Sequence, residues 1–204
     1  EQPIQSANTE SSTKITKSSL SNIQHFSSIS ISASILSIED GAFSKCFNLR
    51  SIVVDSNNTQ FASIDGILFS NNLKTLLCFP VDHHLSRYKI PYSVTSIGNS
   101  SFYQCSKLQS ITIPASVTSI GSSAFSFCSS LEYINVDCDN SQYISIDGVL
   151  FTKDLKTLLC FPANHHLSQY TVPETVTSIC DSAFSVCFHL TSVTIPTSVT
   201  SIGK

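Results

Sequence analysis

Apolar residues recur along this chain of 204 residues at fixed spacing. A Leu-x-x-Ile-x-Ile motif, or a close variant, spans Phe26–Ile31, Leu49–Val54, Leu85–Ile90, Leu108–Ile113, Leu131–Val136, Leu167–Val172 and Leu190–Ile195. The first residues of these motifs lie 23, 36, 23, 23, 36 and 23 apart, so the pattern has a longer period of 82. Val54 to Lys89 aligns with Val136 to Thr171 without a gap, the mark of an internal duplication. A period of this size signals a solenoid, in which no coil buries its apolar face alone.

The last two apolar positions of the motif alternate as in a strand with one buried face. Seven such strands, one per coil, predict a parallel ladder with rungs about 4.8 Å apart. The return path carries Val-x-x-Ile and then Ala-Phe-x-x-Cys, as in Val117, Ile120, Ala124, Phe125 and Cys128. The helical spacing of the last three predicts a short helical turn or 3-10 piece. Gly98, Gly121 and Gly203 follow the Ile and suit a tight corner. Pro91, Pro114, Pro173 and Pro196 end each strand, because proline has no N–H to pair. In the 36-residue coils at 54–89 and 136–171, Asp65-Gly66 and Asp147-Gly148 sit between strand formers and predict a β-hairpin. Residues 1–30 fit the repeat weakly. Ile15, Leu20, Ile23 and Phe26 fall on its apolar positions, which predicts a degenerate first coil serving as a cap. Residues 31–204 form the array proper, and the pattern stops mid-repeat at Lys204. Apolar edge residues such as Ile195 and Val199 there open a route to end-to-end self-association.

The stretch from Leu108 to Val136, LQSITIPASVTSIGSSAFSFCSSLEYINV, resembles the BspA-like leucine-rich repeat family. The likeness runs from about Ile29 to Lys204, and SIDGILF and SIDGVLF resemble a recurrent insert of that family. The departures are Cys180 in the Gly position and Ser101 in the Ala position. The resemblance implies a leucine-rich-repeat solenoid and a non-enzymatic surface or secreted protein of a bacterium or protozoan parasite. It also implies adhesion to host cells or to matrix proteins such as fibronectin, and it supplies no catalytic residues.

Composition narrows the partners. Charged residues make up 12% and the formal net charge is −3. No Lys/Arg run points to nucleic acid or to an anionic membrane. No apolar run approaches the roughly 20 residues of a membrane helix. The N-terminal EQPIQSANTESS lacks the basic and apolar regions of a signal peptide, and the chain has no Met, which suggests a cut or processed start.

The duplicated His83-His84 and His165-His166 invite a metal reading. The residue before the motif Leu is elsewhere Asn, Lys, Ser or His, the tolerance of an exposed turn. The two pairs stand three coils apart, roughly 15 Å at strand spacing, too far to share one ion. Cys46, Cys105, Cys128 and Cys187 hold one repeat position and read as buried free thiols. Cys78 and Cys160 lie in apolar runs, while Cys138 and Cys180 fall outside the pattern and are the better candidates for exposed thiols. One carboxylate per Asp-Gly loop is far short of a calcium cage. Asn57 and Asn99 begin glycosylation sequons. No catalytic residue, cofactor or metal site is assigned.

The remaining candidate is the ladder face, where the third and fifth motif positions face solvent. Arg87, Lys89, Tyr133 and Asn135 stand out there, followed by Gln169 and Thr171. Tyr and Arg are favoured anchors for a protein ligand. The competing reading is a spacer segment of a larger surface protein with no ligand site of its own.

Overall fold

In the computed structural model, residues 5–6, 13–20 and 25–204 are described. The seven motif positions form a main ladder of β3 (Ser28–Ile31), β5 (Ser51–Val54), β9 (Arg87–Lys89), β11 (Ser110–Ile113), β13 (Tyr133–Val136), β17 (Gln169–Thr171) and β19 (Ser192–Thr194), to which the N-terminal coil adds β1 (Gln5–Ser6) beside β3. Opposite runs a second ladder of β2 (Lys14–Ile15), β4 (Ser37–Ile38), β8 (Thr75–Cys78), β10 (Ser96–Ile97), β12 (Ser119–Ile120), β16 (Thr157–Cys160), β18 (Ser178–Ile179) and β20 (Ser201–Ile202). The long coils add β6 (Phe61–Ile64), β7 (Ile67–Ser70), β14 (Tyr143–Ile146) and β15 (Val149–Thr152).

Within each ladder the strands pair in parallel and in repeat register, for example Ile111 with Tyr88 on one side and Ile134 on the other. The alternation decides the faces: Ile111 and Ile113 are buried while Ser110 and Thr112 lie half-exposed outside. The main ladder is not one sheet, as the motif spacing suggests, but three: β1-β3-β5, β9-β11-β13 and β17-β19. It breaks at each long coil because the hairpin tip takes the next rung's place. Ile52 N–H donates to Gly66 O at 2.8 Å, and Ile134 N–H to Gly148 O at 3.0 Å.

The hairpins form where Asp-Gly predicts them. Ile64 pairs with Ile67 and Ile146 with Val149, leaving two-residue loops. Both loop residues have positive φ, 51° and 79° in the first copy and 49° and 83° in the second. That is a type I′ turn, whose twist matches the flanking strands. β7 then pairs antiparallel with β8, and β8 joins the second ladder through β10, so each long coil is a three-stranded meander.

The short coils return without a helix among the described residues. Their i+3 hydrogen bonds skip every other residue: Ala42 to Glu39, Ser44 to Gly41, Cys46 to Phe43. The expected helical piece is cut into single turns by residues in the left-handed region. These are Gly41, Ser100, Ser123 and Ser182 at one repeat position, and Gln104, Phe127 and Val186 four residues later.

The core is a stack of like residues. Phe79, Phe102 and Phe125 follow one another with centroids 5.3 and 5.5 Å apart. All eight cysteines are free. The repeat-position thiols donate to the carbonyl of the Phe one coil below: Cys105 to Phe79, Cys128 to Phe102 and Cys187 to Phe161. The N-terminal coil packs into a neighbouring cluster, where Ile15 and Leu20 are buried with Ile29 and Leu49, and Phe26 is half-buried. Ile23 lies outside the described residues.

Candidate functional site

The register of the main ladder sets out the candidate face. Arg87, Ser110 and Tyr133 form one row and Lys89, Thr112 and Asn135 the next, on adjacent strands β9, β11 and β13. Arg87, Lys89, Tyr133 and Asn135 are exposed, as alternation predicts. Lys89 is partly engaged, its Nζ lying 5.0 Å from the centre of the Tyr92 ring. Gln169 and Thr171 are exposed too, but they belong to the separate sheet β17-β19. The Asp147-Gly148 hairpin tip stands between them and Tyr133. The six residues are therefore divided between two sheets, four on β9-β11-β13 and two on β17-β19.

Tyr133 is held at that break. A Cβ on Gly148 would stand 2.9 Å from Tyr133 Cδ1, so only glycine lets the hairpin tip lie against the ring. His166 stacks on Tyr133 at 6.5 Å between ring centres, and His165 lies 6.3 Å away. In the first block Ser51 fills the equivalent position beside Gly66, so this aromatic cluster is peculiar to the second block.

The two members of each His pair differ. His84 and His166 are exposed, as a turn position should be. His83 and His165 are buried, 1% and 3% exposed, so the tolerance seen at the residue before the motif Leu does not extend to its neighbour. His83 Nε2 contacts Asp65 O at 2.9 Å and Nδ1 accepts from Leu85 N–H at 3.3 Å; His165 repeats this with Asp147 O at 2.7 Å and Leu167 N–H at 3.3 Å. A carbonyl on one nitrogen and an amide on the other require the neutral ring protonated on Nε2. Each buried His therefore latches a hairpin turn to the strand that follows. A metal would have to displace both bonds.

Burial holds the His83 pKa below its ordinary value, with the neighbouring His84 acting the same way against the Asp65 carbonyl and carboxylate. The unfolded chain then binds more protons than the folded one between the two pKa values, so stability falls as pH drops through the His range and levels off above it. Urea melts between pH 7.5 and 5.0 should show this slope, and His83→Asn should flatten it. An unchanged slope in that variant would refute the latch.

Sequence reasoning passed over two further positions. Asn58 and Asn140 are buried, 4% and 1% exposed, and every hydrogen-bonding site of their side chains is engaged. Asn140 Nδ2 donates to Pro114 O and Val117 O, while its Oδ1 accepts from Gln142 and Tyr143 N–H. They are retained across the duplication, whereas neighbouring Asn57 faces Asp139; that difference is the signal that distinguishes them. Asp82, in the Cys position of the repeat, takes Arg50 Nε at 2.7 Å and Lys107 Nζ. Burial raises its pKa, but the two cations lower it further.

The thiols offer little to nucleophilic chemistry. Burial pushes Cys78 and Cys160 well above the ordinary thiol value, and the neighbouring His rings are bonded to backbone. Cys138 is exposed, but Cys180 is only half-buried and its pKa is raised by burial and by Asp181. Among the described residues no helix is long and apolar enough to cross a membrane.

No curated protein matches the chain significantly. Among solved structures, a leucine-rich repeat protein from Eubacterium ventriosum superposes with a TM-score of 0.56 at 26% identity, over 83% of this chain and 49% of that one. A leucine-rich cell surface protein from Faecalibacterium prausnitzii gives 0.57 at 25% identity, over 84% and 52%. The pneumococcal vaccine antigen PcpA gives 0.56 at 23% identity, over 87% and 47%, a likeness of fold alone. The chain thus spans about half the length of these structures. The family model for the BspA type leucine-rich repeat region matches six copies, over residues 3–75 and 77–204. Twin ladders, turn-built returns and this match together establish that the chain belongs to the BspA type leucine-rich repeat family.

Proposed function

We propose that the chain is a non-enzymatic, cell-surface or secreted protein-binding module, and that it adheres to host-cell or matrix proteins. The observation that carries this reading is the ladder face between β9 and β13. There Arg87 and Tyr133 share one row, and Tyr133 is braced by His166 and the hairpin tip. A braced aromatic loses little side-chain freedom on binding, and a guanidinium two strands away in the same row adds hydrogen-bonding reach, which is the character of an interface hot spot. The likeness to a leucine-rich cell surface protein of Faecalibacterium prausnitzii supports the location. Gln169 and Thr171 would make a separate, secondary contact.

The test is surface plasmon resonance of the chain against immobilised fibronectin and other matrix proteins, with Arg87→Ala/Tyr133→Ala alongside. Binding should weaken at least tenfold in the double variant. Equal binding by both proteins would favour the spacer reading for this face.

A further inference from the structure

The long coils leave a second feature, on the side of the molecule where the returns stack. Adjacent short coils join their returns through backbone hydrogen bonds at every second residue. Ser100, Phe102 and Gln104 N–H donate to Ser122, Ala124 and Ser126 O at 3.0, 2.9 and 3.0 Å. One coil further on, the equivalent donors are Ser123, Phe125 and Phe127. The coil above them is the long one, which has a meander in place of a turn-built return. Phe127 N–H reaches across to Ser185 Oγ at 3.3 Å. Ser123 and Phe125 N–H find no acceptor among the described residues. On the opposite wall Ala183 O takes Phe161 N–H at 2.8 Å, while Asp181 and Ser185 O, the counterparts of Ser122 and Ser126 O, take no backbone N–H.

Between these walls lies a cleft of about 330 Å³, floored by Ile120, Phe125, Leu159 and Ile179. Its size suits a ligand site. One wall offers donors two residues apart and the other offers acceptors, the two edges of a missing strand-like segment. No Lys or Arg lines it, and the Asp181 carboxylate does, which disfavours an anion.

We propose that this cleft binds a short extended peptide segment of a partner protein. Its carbonyls accept from Ser123 and Phe125 N–H, an N–H group donates to Asp181 O, and an apolar side chain meets the floor. This is strand addition at a backbone edge. The first block carries the same arrangement but closed, with a cavity of about 40 Å³. There Tyr103 stands where the second block has Ser185, and Asn99 Nδ2 donates to Asp40 Oδ2 at 2.8 Å across the gap. The second block has Asp181 and Ser122 in those places, without that bond. The duplication thus supplies its own closed control, and the cleft does not depend on the ladder face.

The experiment selects a phage-displayed random octapeptide library on the chain, then measures the enriched peptides by fluorescence polarisation against two variants. Ser122→Asp/Asp181→Asn installs the bridging pair of the closed block across the cleft and should weaken binding at least tenfold, whereas Arg87→Ala/Tyr133→Ala should leave it unchanged. Amide exchange of Ser123 and Phe125, followed by NMR on the unmodified chain, should slow at least tenfold on binding. That measurement decides the matter if Ser122→Asp/Asp181→Asn fails to fold. Failure to enrich any peptide, equal binding to Ser122→Asp/Asp181→Asn, loss in the ladder-face variant, or unprotected Ser123 and Phe125 amides would each overturn the proposal.

Discussion

Replacing Asn140 with Ala should destabilise the chain by about 4 kcal/mol, a large share of the 5–15 kcal/mol that holds a typical domain together. Asn140 sits at the start of the long coil and closes the turn from Pro114 to Val117 in the coil below. Its amide donates to Pro114 O at 2.8 Å and to Val117 O at 3.0 Å. Its carbonyl accepts Gln142 N–H at 2.9 Å and Tyr143 N–H at 2.8 Å. Pro114 O keeps a second partner, Val117 N–H, but the other three groups are left unsatisfied, at about 1–3 kcal/mol each before any water enters. Asn140→Asp should do no better, because a carboxylate keeps the two N–H bonds but turns an oxygen toward two carbonyls. Urea denaturation checks this, with exposed Ser141→Ala as the control expected within about 0.5 kcal/mol. A loss below about 1 kcal/mol for Asn140→Ala would show that the turn holds without its clamp.

The main ladder was legible because strand alternation is a local signal repeated many times. Ile111, Ile113 and their counterparts each announce one buried face, and Asp-Gly announces the hairpins. The second ladder was not legible. Its strands in short coils are two residues, Ser-Ile, too short to show alternation, and only stacking reveals them. The Ala-Phe-x-x-Cys spacing suggested helix, since it could not reveal the left-handed residues at Ser123 and Phe127 that interrupt one. The ladder-face residues were placed on the correct side. Their division between two sheets was not legible, because nothing in Tyr133 or Gln169 says that a hairpin tip from the intervening coil will lie between them. The burial of His83 and Asn58 was hidden for another reason. A polar side chain in a turn is indistinguishable from a buried one until its partners, 18 to 26 residues away, are in place.

The corner glycines give the second large effect, and they explain why one copy of the repeat can lack its glycine. A Cβ on Gly121 would stand 2.4 Å from Asn99 N and 2.7 Å from Gly98 C, both backbone atoms of the coil below. Gly203 meets the same obstacle at 2.3 Å from Asp181 N. Gly98 is different, because the coil beneath it is a long one and the nearest atom is Leu76 O at 3.0 Å. Cys180 occupies the position equivalent to Gly98 in the second block, so a side chain is accommodated wherever a long coil lies below. None of these three glycines has a positive φ; the constraint is close approach between coils rather than backbone freedom. Gly121→Ala should therefore cost about 3 kcal/mol, the upper end for overpacking, and Gly98→Ala about 1 kcal/mol or less. Both substitutions remove the same conformational freedom from the unfolded chain, so their difference isolates the clash. Equal urea midpoints for the two variants would show that the stack shifts freely between coils. A difference of the predicted sign would tie the glycine at each corner to the length of the coil beneath it.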